Sequence, residues 1–217
     1  MAATRLTGDP VRLFPLTRET VAAKLAGPVP PPEPDDPHVT TLLEGTRVTE
    51  AAVLVPLIDR AGRVQVLFTQ RTAHLDDHAG QISFPGGRVE GGDTSREETA
   101  LRETEEEIGL ASGLVAVLGR LPDYEIPSGF RITPVVGWIE PPFALKPDPF
   151  EVAAVLEAPL DYFLETAHYQ RRQFRFRGRH RHYMAISFEG RYIWGATAGM
   201  LYTLCRMLRA PRRGEHE

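Results

Sequence analysis

The sequence is poor in cysteine and in lysine. Cys205 is its only cysteine, so no intrachain disulfide can form and nothing indicates an oxidising compartment. Because Cys205 lies within an apolar run, residues 200–205, we expect it in a helical core rather than acting as a nucleophile. Nearly all of the basic residues are arginine, since Lys24 and Lys146 are the only lysines.

Long hydrophobic runs are also absent. No segment approaches the length that crosses a membrane, and the first residues lack the apolar stretch of a signal peptide. The formal net charge of −4 predicts no general affinity for nucleic acid or for an anionic membrane surface. We therefore expect a cytoplasmic protein without a nucleic-acid or membrane partner, and the sequence leaves its oligomeric state open.

The length of 217 residues, with 42% hydrophobic and 25% charged residues, predicts one globular domain with short appendages. Residues 1–48 are predicted to form an N-terminal extension. It contains a short helix over residues 17–26 and a proline-rich connector over residues 28–37. Residues 49–210 form the predicted main domain, and residues 211–217 form a tail.

Strand and helix patterns alternate in the main domain. Residues 51–58 and 64–69 are almost wholly apolar and flank the turn residues 59–62, which predicts a hairpin of two buried strands. Later apolar segments predict more strands and a final helix, so the pattern by itself gives an α+β fold. The further predictions are strands over 114–121, 132–139, 151–156, 169–176 and 182–188, a short helix after residue 160, and a helix over 198–208.

A stretch rich in glycine and acid, residues 84–110, dominates the sequence. Thr94 followed by Glu97 is the pattern of a capping box, so a helix should begin near Ser95. Gly109 stands where a helix-ending glycine would stand. The predicted core-facing residues of this helix are Leu101, Thr104 and Ile108.

Three carboxylates share one face of that helix. Glu103, Glu106 and Glu107 stand at i, i+3 and i+4, where like charges repel and the C-terminal end of the helix dipole adds negative charge. This local conflict predicts a compensating cation, and an oxygen-only ligand set suits Mg²⁺ or Mn²⁺. Arg102 can orient a carboxylate by reaching Glu106, or Glu98 one turn back. The alternative is a solvated acidic helix.

Two glycines, Gly86 and Gly87, precede the helix. The absence of a Cβ lets the backbone approach a ligand, and the Gly86 carbonyl could join the metal shell. The alternative is an ordinary turn between a strand and a helix.

The order of these residues resembles the Nudix box, the signature of hydrolases that cleave a nucleoside diphosphate linked to another group. In that pattern a glycine is followed after five residues by a glutamate and after seven more by REUxEExGU, where U is aliphatic. Residues 102–110 match the second half, with Thr104 in an aliphatic position. Asp93 stands near the place of the first glutamate, and the interval from Gly87 to Arg102 is one residue longer. The resemblance implies an α/β/α sandwich with a mixed sheet.

This longer interval resembles that of one branch of the family, the coenzyme A pyrophosphatases. That branch carries an upstream motif, approximately LLTxR[SA]xxxRxxxGxxxFPGG. Residues 67–87 follow it in register, with Arg71, Gly80 and the FPGG sequence at residues 84–87. The departures are Phe68, Thr72 and Asp76, the last of which replaces an arginine with an acid.

The resemblance implies hydrolysis of the diphosphate linkage of coenzyme A, or its derivatives, to 3′,5′-ADP and 4′-phosphopantetheine. Asp76 keeps open the same reaction on ADP-ribose, a dinucleotide or a nucleotide sugar. An alternative of another class is a catalytically silent domain that binds a nucleotide as a regulator.

The resemblance also assigns roles to residues. The metal ligands would be Glu103, Glu106, Glu107 and the Gly86 carbonyl. The general base would be a glutamate of the box or Glu151, with Arg102 orienting a box carboxylate. Substrate contacts would come from Arg71, Gly80, Tyr124 and Ser128. The arginine-rich turn at residues 177–181 either attracts the phosphates of the substrate or is a solvated hairpin tip.

Overall fold

The computed structural model describes residues 15–31, 47–73, 80–176 and 178–209. Asp76, most of the proline-rich connector and the tail therefore lie outside the described residues. The division into an extension, a main domain and a tail stays a prediction.

The described chain contains four α-helices and eleven strands, with two short 3₁₀ helices at Ser112–Leu114 and Thr166–His168. The helices are α1 (Arg18–Leu25), α2 (Arg96–Ile108), α3 (Leu160–Leu164) and α4 (Ala196–Arg209). The strands are β1 (Thr49–Arg60), β2 (Arg63–Arg71), β3 (Ile82–Ser83), β4 (Gly86–Arg88), β5 (Val115–Arg120), β6 (Tyr124–Glu125), β7 (Phe130–Ile139), β8 (Val152–Pro159), β9 (Gln170–Phe176), β10 (Arg179–Phe188) and β11 (Arg191–Trp194).

Eight of the described strands form one mixed sheet. The strands β3, β2, β1, β7 and β5 lie in that order, while β4 pairs with β1, β6 with β7, and β8 with β2. Only the β1–β7 pair runs parallel among the pairings described for this sheet. The predicted β1–β2 hairpin is confirmed, and it closes through Ala61 and Gly62, whose φ angles of 54° and 82° suit a tight turn. The strands β9, β10 and β11 form a separate antiparallel sheet.

Both faces of the large sheet are buried, because alternate side chains of its strands enter different cores. On β1, Leu54 and Ile58 pack in the core that includes Ala100 and Ile108 of α2. Their neighbour Leu57 packs in the core that is formed with α1, α3 and α4. The layers are therefore helix, sheet and helices, and the α/β/α sandwich and the α+β class are confirmed. None of the described helices is long and apolar enough to cross a membrane.

The N-terminal helix is present as predicted and begins after Thr17, whose side chain accepts a hydrogen bond from the Thr20 amide. Val21 and Leu25 are its buried residues. Leu25 lies over Gly119 of β5, where a Cβ would come 3.4 Å from the Leu25 Cβ. Because a helix of eight residues is marginal by itself, the burial of Val21 and Leu25 against β5 and α4 stabilises it.

Cys205 is fully buried on α4, as expected. The Tyr169 hydroxyl lies 3.6 Å from its Sγ, and burial raises the pKa of the thiol to about 12. A thiolate is therefore not available at this position at neutral pH.

Candidate active site

The helix α2 begins one residue later than the capping pattern predicted. Ser95, not Thr94, is the N-cap, because its side chain accepts from the Glu98 amide. Thr94 donates both its amide and its hydroxyl to Glu98 Oε2, each at 2.6 Å. Ser95 thus caps the helix, and the Glu98 carboxylate binds Thr94, the residue before the cap. Gly109 ends the helix in the left-handed conformation with a φ of 69°, as predicted.

The buried side of α2 includes a carboxylate. Ala100, Thr104 and Ile108 are buried, whereas the predicted core residue Leu101 is only partly buried. Glu107 is also buried, with 7% of its surface exposed. The solvated-helix alternative is therefore wrong for this acid, because an ionised carboxylate at that depth requires compensation.

Several groups from distant parts of the chain surround Glu107. Its pKa is raised to about 8, mainly by burial and also by the negative charges of Glu151 and Glu103. The positive charge of Arg71 and a hydrogen bond from the backbone of Gly86 act in the opposite direction. A charge or a hydrogen bond changes the pKa of a carboxyl only when it lies close to it. The structure therefore brings these predicted residues together at one site: Glu103, Glu107, Glu151, Arg71 and Gly86.

At Gly86 and Gly87, neighbouring atoms of the protein occupy the positions where a Cβ would lie. A Cβ on Gly87 would lie 2.6 Å from Glu103 Oε1 and closer still to Oε2. A Cβ on Gly86, which has a φ of 150°, would lie 2.5 Å from the Val53 Cα on β1. Gly87 therefore admits the Glu103 carboxylate, and Gly86 lets β4 approach β1. The pKa of Glu103 is raised, mainly by burial and also by the charges of Glu106 and Glu151, while Arg102 opposes the rise.

Arg102 links the acids of the site. Its Nη1 donates to Glu103 at 3.0 Å and to Glu106 at 3.1 Å, so the predicted contact with Glu106 is confirmed. Its Nε and Nη2 each donate to the Asp93 carboxylate at 3.1 Å. The alternative contact with Glu98 is wrong, because that side chain binds Thr94.

Asp93 acts as the anchor of this arginine. The Arg102 guanidinium holds the pKa of Asp93 well below its usual range, so the pair is ionised throughout the neutral range. A bidentate pair fixes the plane of the guanidinium, which in turn fixes where its remaining Nη1 can hold Glu103 and Glu106. Asp93, which was noted only for its place in the box, therefore positions the arginine.

Arg71 lies at the end of β2, where the pairing with β8 shifts register between Gln70 and Arg71. Its amide donates to the Gln81 carbonyl at 3.0 Å, and the next residue, Thr72, donates to the Glu151 carbonyl at 3.0 Å. The Nε of Arg71 is buried and has no hydrogen-bond partner among the residues that the structure describes. A cation with an unused buried donor, close enough to Glu107 to lower its pKa, is suited to binding an anion.

Replacing Arg71 with alanine is expected to raise KM by about 10- to 100-fold and to change kcat much less, because a phosphate clamp acts mainly in binding. Steady-state kinetics with a diphosphate substrate measure both constants. Arg63→Ala, on the exposed hairpin end of the same strand, is the matched control. An unchanged KM for Arg71→Ala would remove this residue from the site.

The remaining predicted substrate contacts lie in different settings. Gly80 is exposed, with a φ of 71°, and its carbonyl accepts from the Gln70 side chain at 3.3 Å. Ser128 is exposed on the turn between β6 and β7. Tyr124 is buried, and its ring occupies the space that a Cβ on Gly199 of α4 would need. This burial gives Tyr124 a role in the core instead of the expected one in the site.

The chemistry of the donor set fits a divalent cation. Glu103, Glu106 and Glu107 offer hard oxygen ligands, and burial together with the neighbouring acids raises the pKa of Glu107, which a bound cation would offset. Within the described part of the chain, no group of three acids, histidines or cysteines stands close enough to form a complete metal site. Arg102 instead pairs with two of the three carboxylates.

Comparisons with known proteins identify the family. Residues 48–174, more than half of the chain, match the NUDIX domain family. The "Uncharacterized Nudix hydrolase NudL" of Escherichia coli O6:H1 is 40% identical over 155 residues, which cover 71% of this chain and 80% of the relative. The protein of the same name from Citrobacter koseri is 41% identical with the same coverage.

A solved structure of an Ap4A hydrolase from C. elegans is 22% identical to this chain and has a TM-score of 0.45. The aligned part covers 55% of this chain and 86% of that one. The family match and the relatives at 40% identity carry the assignment. The chain thus belongs to the Nudix family and is a hydrolase of nucleoside diphosphate derivatives.

Proposed function

We propose that this enzyme hydrolyses the diphosphate linkage of coenzyme A, or of its derivatives, to 3′,5′-ADP and 4′-phosphopantetheine. The observation that carries the proposal is the position of Arg71, the arginine of the upstream motif. Its guanidinium is close enough to the box acid Glu107 to influence its pKa, and it retains an unused buried donor. This supports a substrate phosphate held between the upstream motif and the box.

Nudix hydrolases generally use divalent metal ions. Glu103, Glu106, Glu107 and the Gly86 carbonyl would hold Mg²⁺ or Mn²⁺ in this chain. A cation bound there supplies positive charge to the phosphate oxygens and increases the acidity of water. Arg102, fixed by Asp93, keeps the carboxylates of Glu103 and Glu106 oriented toward the same region.

The chain itself supplies the phosphate contact and the proton acceptor. Arg71 would orient the diphosphate through its planar fork of donors. We assign the general base to Glu151, because it is near Glu103 and Glu107 but is not one of the proposed ligands. Its oxygens are therefore free to accept the proton of the attacking water, which adds to phosphorus as the phosphate leaving group departs.

Glu151→Gln is expected to lower kcat by about 10²- to 10⁴-fold with little change in KM, because a glutamine cannot accept the proton. Glu157→Gln is the matched control, since Glu157 lies on the adjoining strand β8 but pairs with Arg60 on the protein surface. The measurement is the pH profile of kcat for each variant. A Glu151→Gln enzyme with an unchanged rate would return the role of base to the box.

The substrate is tested by offering coenzyme A, ADP-ribose, NADH and a nucleotide sugar in parallel, with Mg²⁺ or Mn²⁺, and separating the products by chromatography. Preferential release of 3′,5′-ADP from coenzyme A is the expected result. Faster cleavage of another compound would favour the second candidate, the same reaction on a different diphosphate. That candidate is kept because Asp76 stands where the coenzyme A motif has an arginine. Silence on all four would favour a nucleotide-binding regulator.

A further inference from the structure

The second sheet carries an exposed surface that the catalytic chemistry does not use. Strand pairing aligns Phe174 with Arg181 and Arg172 with Tyr183 on β9 and β10. Trp194 and Tyr192 of β11 stand opposite Ala185 and Ser187, which share the face of Tyr183 by alternation. We call this surface the aromatic–arginine face, and it comprises Arg172, Phe174, Arg181, Tyr183, Tyr192 and Trp194.

The rings of this face form a continuous row. The Phe174 and Tyr183 centroids are 5.8 Å apart, and those of Tyr183 and Trp194 are 5.7 Å apart, both with edge-to-face geometry. Phe174, Trp194 and Tyr192 are exposed to 36%, 37% and 45%. The opposite face of the sheet holds buried apolar residues such as Met184 and Ile186. An exposed row of rings on a sheet that is already anchored on its other side is typical of a binding surface.

The charge of this sheet is opposite in sign to that of the whole chain. Residues 170–194 contain seven arginines and one acid, Glu189, whereas the chain has a net charge of −4. Two of these arginines, Arg172 and Arg181, belong to the aromatic–arginine face. The Nε of Arg181 is buried and has no hydrogen-bond partner in the described parts of the chain. Such a surface complements an anion, and it disfavours a second copy of the chain, because two such faces would oppose arginine to arginine.

The aromatic–arginine face adjoins β3, the strand that pairs with β2, at whose end Arg71 lies. Trp194 is followed by Gly195, where a Cβ would lie 3.9 Å from the Gln81 side-chain amide. The carbonyl of Gln81 accepts the hydrogen bond of the Arg71 amide. Gln81 therefore lies between Gly195, the residue that follows Trp194, and Arg71, the proposed phosphate clamp.

We propose that the aromatic–arginine face binds the nucleoside half of the substrate. The base stacks on the row formed by Phe174, Tyr183 and Trp194, and a phosphate on the ribose accepts hydrogen bonds from Arg181. Aromatic rings with interspersed arginines bind a base and its phosphate together, since rings supply stacking and guanidinium groups pair with phosphate oxygens. The inference rests on the proposed function in taking the bound nucleotide to be part of the substrate.

The test measures binding of 3′,5′-ADP to the full chain by titration calorimetry, with AMP as the comparison ligand. Phe174→Ala is expected to weaken binding of both nucleotides about tenfold, by the loss of one stacking ring. Arg181→Gln is expected to reduce the preference for 3′,5′-ADP over AMP by a similar factor. Phe174→Tyr should restore stacking, and Arg63→Gln, an exposed arginine on the β1–β2 hairpin, should change neither value.

Unchanged binding of 3′,5′-ADP in both variants would overturn the inference, as would the absence of binding to the wild-type protein. Loss of binding to a single-stranded RNA oligonucleotide in these variants, with 3′,5′-ADP binding unaffected, would assign the face to RNA and would also overturn it. Equal melting temperatures of the variants exclude a folding defect.

Binding and turnover separate this inference from the proposed function. A wild-type protein that binds 3′,5′-ADP through this face but does not hydrolyse coenzyme A would retain the inference and remove the proposed substrate. A protein that hydrolyses coenzyme A with the same KM in all variants would retain the function and remove the inference.

Discussion

Replacing Glu107 with glutamine is expected to lower kcat by about 10³-fold or more while leaving the fold intact. A box carboxylate that holds a cation contributes several kcal/mol to the stabilisation of the transition state, and an amide oxygen carries no charge to replace it. The same change removes a buried acid that lies near Glu103 and Glu151. The loss of activity should therefore come without a loss of stability.

The Glu107 carboxyl gives the stability of the wild type a predictable pH dependence in the presence of a chelator. The pKa of Glu107 is raised in the folded protein from 4.5 to about 8, so the folded state binds a proton more tightly than the unfolded chain does. The free energy of unfolding of the wild type should then fall as the pH rises through that window, by about 2–4 kcal/mol. The glutamine variant should lack this fall, and denaturant titrations at pH 5 and pH 9 measure the difference.

Two variants on the same helix serve as comparisons. The Glu106 side chain is 61% exposed, so Glu106→Gln should lose turnover with no gain in stability above pH 8. Glu105 binds Ser112 through its carboxylate, away from the acid cluster, and Glu105→Gln should retain both rate and stability. Rates like those of the wild type in both Glu106→Gln and Glu107→Gln would contradict the assignment of metal ligands.

The sequence predicted which acids matter but not how each one is placed. The i, i+3, i+4 spacing puts Glu103, Glu106 and Glu107 on one helical face, and that inference needs only the helix geometry. Which of them turns toward the core depends on β1 and β4, which pack against α2 from outside the helix. The residues near Glu107 in the sequence therefore could not predict its burial, whereas the glycine at position 109 did predict the end of the helix.

Contacts that depend on the order of the strands in the sheet could not be predicted from the sequence either. Arg71 and Glu151 are 80 positions apart in the chain and become neighbours because β2 pairs with β8. Asp93 reaches Arg102 because the turn before α2 folds back on the helix, and the repeat of the helix does not describe that turn. The family resemblance supplied Arg71 and Glu151 as candidates, and the structure supplied their proximity.

For Tyr124 the structure differs from the prediction made from the resemblance. Tyr124 was a candidate because its loop lies between two strands near the substrate in the resembled family. Its ring instead fits against Gly199, a contact that joins β6 to α4 across a long sequence interval. A tyrosine in a loop reads as a binding residue until the partner that buries it is known.

The adjacent glycines should respond to alanine in opposite ways. In Gly86→Ala the new methyl group would meet the backbone of β1, 2.5 Å from the Val53 Cα, at a φ of 150° that disfavours a side chain. Backbone cannot move aside cheaply, so we expect a loss of about 3–5 kcal/mol in the free energy of unfolding. In Gly87→Ala the methyl group would instead meet the Glu103 carboxylate, which is the movable end of a side chain.

Gly87→Ala is therefore expected to cost less than about 1 kcal/mol of stability but to lower kcat about 10- to 100-fold, because the Glu103 carboxylate is displaced from its position beside Arg102. Thermal unfolding and kinetics of both variants separate the two effects. In a Glu103→Ala background the Gly87→Ala change should reduce the residual rate little further, since the group that it displaces is gone. An additive loss in the double variant would mean that Gly87 acts on the reaction through the backbone, and a stability loss equal to that of Gly86→Ala would mean that the carboxylate cannot yield.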